Sequence, residues 1–165
     1  MARFLRYPDL RLGRAATPRL VDEAMIEVGE KLMAAAMEVQ AYGLAAAHLG
    51  QVEPLIVISI APDARSRDYR ILFNPEIVFA SEDAETGLEG SVSMPGVDVP
   101  NVRANSVELV YDDAERVRHK LRLEGFAARV AQHEVDQING IFLLDRLSRL
   151  KRDIAMRRYN KAGAR

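Results

Sequence analysis

The order in which helix and strand patterns follow one another sets narrow limits on the architecture of this chain. One amphipathic helix is predicted over residues 19–41, because Val21, Met25 and Val28 begin a run of apolar positions at steps of three and four. Short β-rich stretches follow at residues 55–60, 70–79, 106–111 and 117–123. Helix patterns return at residues 126–138 and 148–159. Strands flanked by helices, without regular βαβ alternation, predict an α+β fold with largely antiparallel sheets.

Local signals give the expected boundaries of these elements. Thr17, followed by a proline, can start the first helix, and Gly43 can end it. The strands at residues 106–111 and 117–123 alternate in polarity on either side of an acidic turn. They are therefore expected to form a hairpin with one solvated face.

Length and composition exclude several classes of protein. The 165 residues predict a single domain over residues 1–165. Lys and Arg number 23 against 24 Asp and Glu, a formal net charge of −1, which argues against non-specific nucleic-acid binding by the whole domain. Apolar runs are far shorter than the ~20 residues that cross a bilayer, so we expect no membrane partner and a cytoplasmic location. The absence of cysteine removes disulfides, thiolate metal ligands and cysteine nucleophiles.

The segment Gln-His-Glu-Val-Asp-Gln at residues 132–137 is the most informative one for chemistry. Metallohydrolases place two histidines four residues apart on one helix face, and the second of these positions is here Gln137. Glu134 matches the glutamate that takes a proton from metal-bound water. By itself, His133 with Glu134 is also compatible with a hydrogen-bonded core histidine beside an acid.

Two further segments have the character of pocket walls. At residues 42–48, Gly43 precedes small apolar residues and then His48, which suits close backbone approach. At residues 88–96 a strand-like piece ends in a turn, where Gly90 can admit a ligand.

Taken together and in this order, the three segments resemble the peptide deformylases, metal-dependent hydrolases that remove the formyl group from the N-terminal methionine of new bacterial proteins. Flanking segments extend the resemblance over nearly the whole chain: residues 7–12, 73–75 and 143–147. The resemblance implies a deformylase-like α+β fold with an N-terminal helix, small antiparallel sheets, a central helix bearing His133 and Glu134, and a C-terminal helix.

The resemblance also implies roles for individual residues. Gly43, Leu44 and Ala45 match the backbone edge along which the family lays its peptide substrate. Glu89 and Gly90 match the second motif and are expected to contact substrate. Glu134 matches the general acid and base, and His133 matches one metal ligand.

Three positions depart from the family pattern. Ser91 stands where the family has a metal-binding cysteine, Gln137 replaces its second histidine ligand, and His48 replaces a glutamine that helps to hold the substrate carbonyl. A neutral hydroxyl and a carboxamide are weak ligands for Fe, Zn or Ni. We therefore expect either no cofactor or a divalent metal at low affinity. The chain is expected to be a degenerate member without ordinary deformylase activity that keeps a pocket for a peptide or N-terminus.

Three alternatives remain open at this point. Ser91 and His133 can form a nucleophile and base pair. His48, His133 and Glu134 can form a rebuilt metal site. Either would make the chain a hydrolase of N-formylmethionyl or related amides. The third alternative is a neutral hydrogen-bond network of Ser91, Gln137 and His48 that fills the old site.

The chain ends in a strongly basic segment. Residues 146–165 carry eight Lys and Arg, with Asp153 the single acid. In the family a C-terminal helix lies near the ribosomal exit, so a weak ribosome contact through phosphate groups is expected. The alternative is a solvated face that suits the helix C-terminus. His119 is expected at the surface.

Overall fold

The computed structural model describes residues 1–163 and confirms the α+β class. The helices are α1 (Glu23–Val39), α2 (Gly125–Ile138) and α3 (Arg149–Gly163). The strands are β1 (Gly43–Ala45), β2 (Leu55–Ser59), β3 (Tyr69–Ala80), β4 (Ala84–Glu89), β5 (Val99–Ala104), β6 (Ser106–Asp112) and β7 (Arg118–Glu124). Short 3₁₀ turns occupy Leu10–Gly13, Ala46–Leu49 and Leu143–Arg146.

Both predicted ends of the first helix were wrong. The helix begins after Asp22 and not at Thr17, because the Asp22 carboxylate accepts a hydrogen bond from the backbone N–H of Met25 at 2.9 Å and caps the first turn. It ends at Gln40, whose left-handed backbone (φ 55°) breaks the helix before Gly43 is reached. Gly43 begins strand β1 instead.

The strands form two antiparallel sheets. One has five strands in the order β1-β2-β3-β6-β7, and the other consists of β4 and β5. The predicted hairpin is confirmed as β6 and β7, which pair from Ser106 with Glu124 to Asp112 with Arg118. His119 lies at the surface of this hairpin, as expected, with Nε2 2.6 Å from an Asp113 carboxylate oxygen.

The large sheet is packed between two helices. In β2, alternate side chains point to opposite faces, so that Ile56 and Ile58 meet the core under α2 while Leu55 and Val57 meet the core under α1. Strand β1 forms the sheet edge and contacts α2. This arrangement brings the segment around Gly43 beside the helix that carries His133.

Helix α3 is docked by a small third core. Ala155 packs in a cluster with Phe142 and Leu144, and the hydroxyl of Tyr159 donates to the carbonyl of Tyr7 at 3.0 Å. Exposed cations cover the rest of the helix: Arg149, Lys151, Arg152, Arg157, Arg158 and Lys161. Arg165, also part of the basic segment, lies outside the described residues. Ribosome contact through this surface stays a prediction.

Within residues 1–163, the structure contains no helix that is both long and apolar enough to traverse a bilayer.

Candidate functional site

A cavity of about 450 Å³ lies where α2, β1 and the segment after β4 meet. It brings together the residues predicted from the three motifs: Gly43, His48, Glu89, Gly90, Ser91, His133 and Glu134. The side chains of Leu44 and Ala45 are instead buried in the cores on opposite faces of the sheet. For these two residues, only the backbone of β1 is available for the predicted peptide contact.

Close packing explains the glycines at two points of the cavity wall. A Cβ atom on Gly43 would lie 2.8 Å from both Glu134 Cγ and Val130 Cγ1. A Cβ atom on Gly90 would lie 2.6 Å from a carboxylate oxygen of Asp98. The edge of β1 can therefore approach α2 this closely only without a side chain at Gly43, whereas at Gly90 the exposed Asp98 carboxylate would have to move aside.

Helix α2 supplies one whole wall of the cavity. Phe126, Arg129, Val130 and His133 follow one another at steps of three, one and three, which places them on one helix face. The aromatic ring of Tyr42 packs edge-on against Phe126 at 4.7 Å between ring centroids. This wall is therefore apolar at its Phe126 end and polar at its His133 end.

His133 is held by Glu89 from β4. Its Nδ1 lies 2.9 Å from Glu89 Oε1, which fixes the orientation of the imidazole ring. Although burial alone would raise the pKa of Glu89, hydrogen bonds from Arg103 and His133 hold that pKa far below its ordinary value. Burial opposes protonation of His133, but the carboxylates of Glu134 and Glu89 raise the pKa of His133 above its ordinary value. The predicted contact between Glu89 and substrate stays a prediction.

The same carboxylate anchors a buried ion network that sequence reasoning missed. Arg103 donates to both oxygens of Glu89, at 2.9 and 2.8 Å, and to Asp136 at 2.5 Å. Arg146 donates to both oxygens of Asp136 at 2.5 and 2.6 Å. No sequence pattern indicates this network, because Arg103 and Asp136 lie 33 residues apart and their local spacing does not show that both are buried.

Glu134 and His48 face each other at the bottom of the cavity, with Glu134 Oε2 3.8 Å from His48 Nδ1. Burial is the main cause that raises the pKa of Glu134 to about 7. Burial, together with nearby His133, lowers the pKa of His48 to about 3, so its imidazole is neutral. Because His48 Nδ1 accepts a hydrogen bond from the Ala45 backbone N–H at 2.9 Å, the ring proton is on Nε2.

Two buried atoms of this pair have no hydrogen-bond partner among the described residues: His48 Nε2 and Glu134 Oε2. One is a donor and the other an acceptor. Unpaired buried polar groups are costly, and a ligand that satisfies both offsets that cost.

The third alternative, a hydrogen-bond network joining Ser91, Gln137 and His48, does not agree with the contacts of these side chains. Ser91 Oγ accepts a hydrogen bond from the Ser93 backbone N–H at 3.1 Å. Gln137 Nε2 donates to the carbonyl of Leu12 at 2.7 Å. Within residues 1–163 each of these side chains bonds to a backbone group, and no direct hydrogen bond joins the three residues.

These contacts do not fit the metal that the resemblance implies. Gln137 uses its amide to hold the N-terminal segment, Ser91 offers a neutral hydroxyl, and His133 alone retains an imidazole at a ligand position. No group of three His, Cys, Asp or Glu side chains in residues 1–163 is arranged to hold a metal ion. Whether the protein binds a metal at low affinity stays a prediction.

Comparison with known proteins agrees with the resemblance. The family model for polypeptide deformylase matches residues 1–153. A peptide deformylase-like protein of Brucella melitensis is 36% identical over 158 residues, covering 95% of this chain and 94% of that protein. A peptide deformylase of Rhizobium meliloti is 29% identical over 156 residues, covering 94% of this chain and 90% of that protein. The crystal structure of peptide deformylase from Ehrlichia chaffeensis superposes with a TM-score of 0.89 at 26% identity and covers 98% of this chain and 96% of that structure.

Proposed function

The chain belongs to the peptide deformylase family, and from this premise we propose that it binds a peptide N-terminus in the cavity without carrying out metal-dependent deformylation. The position of Gln137 is the observation that carries this proposal. Gln137 is 1% exposed and its amide donates to the Leu12 carbonyl, so a structural hydrogen bond occupies the position where the family has a histidine ligand. Removing this bond would leave a buried acceptor, the Leu12 carbonyl, unpaired. Gln137 therefore stabilises the fold.

The features expected of a peptide site remain. Strand β1 pairs with β2 along one edge, and Gly43 lines the cavity. An extended peptide that adds to the free edge of β1 gains backbone hydrogen bonds, and its alternate side chains point into the cavity. The unpaired donor on His48 and acceptor on Glu134 suit the carbonyl and N–H groups of the first peptide unit.

The direct test measures metal, turnover and binding on the same preparation. We expect protein purified without chelator or added metal to hold far less than one metal ion per chain and to leave formyl-Met-Ala-Ser intact. We expect isothermal titration calorimetry to detect binding of that peptide or of Met-Ala-Ser. Stoichiometric metal with brisk turnover would overturn the proposal, and so would absence of binding by both peptides.

The substitution Gly43→Ala tests whether the β1 edge carries the peptide. The added methyl group would lie 2.8 Å from Glu134 Cγ and Val130 Cγ1, which forces these two side chains of the cavity wall or strand β1 itself to shift. We expect peptide affinity to fall at least ~10-fold, which is about 1.4 kcal/mol. The matched control is Gly13→Ala, where a Cβ meets nothing within 4 Å. Equal affinities in the two variants would exclude β1 from the binding site.

The orientation of His133 favours a second candidate function, hydrolysis through Ser91. Glu89 holds His133 Nδ1 at 2.9 Å, as an orienting acid holds a catalytic base, and Ser91 lines the same cavity. If the chain hydrolyses formyl-Met-Ala-Ser without metal, we expect Ser91→Ala to lower kcat at least ~100-fold. The control is Ser93→Ala, since the Ser93 side chain is fully buried outside the cavity lining. Unchanged kcat in Ser91→Ala would reject the serine as nucleophile.

A further inference from the structure

Arg129 is the arginine that α2 supplies to the cavity wall, and it is rigidly held. Its Nη1 donates to Glu89 Oε2 at 2.8 Å and to the Asn101 carbonyl at 2.9 Å, and its Nη2 donates to the Glu85 carbonyl at 2.7 Å. These bonds tie the guanidinium to both strands of the β4 and β5 sheet. The group therefore cannot swing out of the wall when a ligand enters.

Gly87 fits this position of the guanidinium. A Cβ on Gly87 would lie 2.8 Å from Arg129 Cζ and 2.9 Å from its Nε and Nη2, so the flat face of the guanidinium packs on the glycine. Glycine in the interior of a strand is otherwise unfavourable. Arg129 thus fills the space between α2 and β4 that a side chain at position 87 would occupy.

The guanidinium retains unused hydrogen-bonding capacity. It has five N–H bonds, and the three acceptors above use three of them. In the described residues neither the Nε–H nor the second Nη2–H has an acceptor. The Gly87 carbonyl lies 3.5 Å from Nη1, whose two N–H groups already donate to Glu89 and Asn101. The neighbouring wall is apolar, with Phe126, Val130 and Leu88.

We infer that Arg129 determines which N-terminal residue of a bound peptide the cavity prefers. An N-terminal side chain that ends in an oxygen acceptor is favoured over an apolar side chain of equal length. This inference rests on the proposed peptide binding. An apolar side chain would cover the guanidinium edge and remove water from its free N–H groups without replacing that water. An oxygen acceptor replaces the lost hydrogen bond, and hydrogen bonds to charged groups are the stronger ones.

The test compares two tripeptides, X-Ala-Ser, in which X is methionine sulfoxide or norleucine. The two side chains have similar length, and only the sulfoxide offers an oxygen acceptor. We expect the natural chain to bind the sulfoxide peptide about 10-fold more tightly, which is about 1.4 kcal/mol. In Arg129→Met we expect the preference to disappear or reverse. Arg122→Met, an exposed site on β7, is the control for the change in charge.

A second variant covers the case in which Arg129→Met does not fold. Gly87→Ala displaces the guanidinium by a direct clash and leaves the charge in place, and we expect it to reduce the preference for the sulfoxide as well. Tighter binding of norleucine by the natural chain, or an unchanged preference in Gly87→Ala, would overturn the role of Arg129 and leave peptide binding intact. Absence of binding by both tripeptides, together with absence of binding by formyl-Met-Ala-Ser and Met-Ala-Ser, would overturn the proposed function itself.

Discussion

The double variant Ser91→Cys/Gln137→His is expected to bind about one divalent metal ion per chain, whereas the natural chain purified in parallel holds less than ~0.1. The variant combines a thiolate and a second imidazole with His133, and such ligands hold Zn and similar ions far more firmly than a hydroxyl and an amide. Outer-shell changes alone alter metal affinity by about 10–100-fold, so restoring two direct ligands is expected to exceed that range. Elemental analysis after dialysis against metal-free buffer measures the difference.

The single variants separate the two positions. Ser91→Cys adds a thiolate without disturbing Gln137, so it is expected to give an intermediate affinity. Gln137→His removes the hydrogen bond to the Leu12 carbonyl, so it is expected to lower stability by about 1–3 kcal/mol when metal is absent. Cobalt(II) absorption reports thiolate ligation directly. If the natural chain already holds one metal ion tightly, our interpretation of its ligand positions is wrong.

The helix positions could be predicted because they depend on local periodicity. The apolar spacing that begins at Val21 and the hairpin of β6 and β7 are properties of contiguous sequence. The ends of α1 could not be predicted as well, since Asp22 and Gln40 compete with Thr17 and Gly43 as boundary residues and only packing decides between them.

Strand β5 shows why the smaller sheet was missed. Pro100, Asn101 and Arg103 break any apolar alternation in this segment. The polar side chains of Asn101 and Arg103 have partners distant in sequence, since Asn101 donates to the Leu143 carbonyl at 3.3 Å and Arg103 binds Glu89 and Asp136. A strand that buries charges against a helix far along the chain leaves no period-two signal.

The candidate site could likewise be predicted only in part. The order and identity of the motif residues were enough to predict that Gly43, Ser91 and His133 share one cavity, because the family resemblance places the three motifs together. The contacts that decide the chemistry could not be predicted. That Gln137 turns to Leu12, and that Glu89 holds His133, depends on side-chain directions that spacing does not determine.

The buried network behind the cavity leads to the largest expected loss of stability. In Arg103→Met the carboxylates of Glu89 and Asp136 lose a buried partner whose side chain is 4% exposed. Glu89 keeps its bonds to Arg129 and His133, and Asp136 keeps its bonds to Arg146. We therefore expect the free energy of unfolding to fall by about 3 kcal/mol, the lower end of the range for a buried ion pair broken from one side. Urea denaturation measures this change in the free energy of unfolding. The control is Arg122→Met, whose side chain is 62% exposed beside Glu124 and whose loss is expected to cost less than ~0.5 kcal/mol.

A second substitution distinguishes two causes of this stability loss: an unpaired buried charge and the loss of packing by the arginine side chain. If the cost arises from the Glu89 carboxylate, adding Glu89→Gln to Arg103→Met removes that charge and is expected to recover at least ~1 kcal/mol. Arg146 still neutralises Asp136 in the double variant, through bonds of 2.5 and 2.6 Å. If packing of the arginine stem dominates, the double variant is as unstable as Arg103→Met or more so. Recovery would therefore show that Arg103 helps to neutralise Glu89 in addition to Arg129, and hence that Arg103 helps to keep the acid available to orient His133 at the cavity wall.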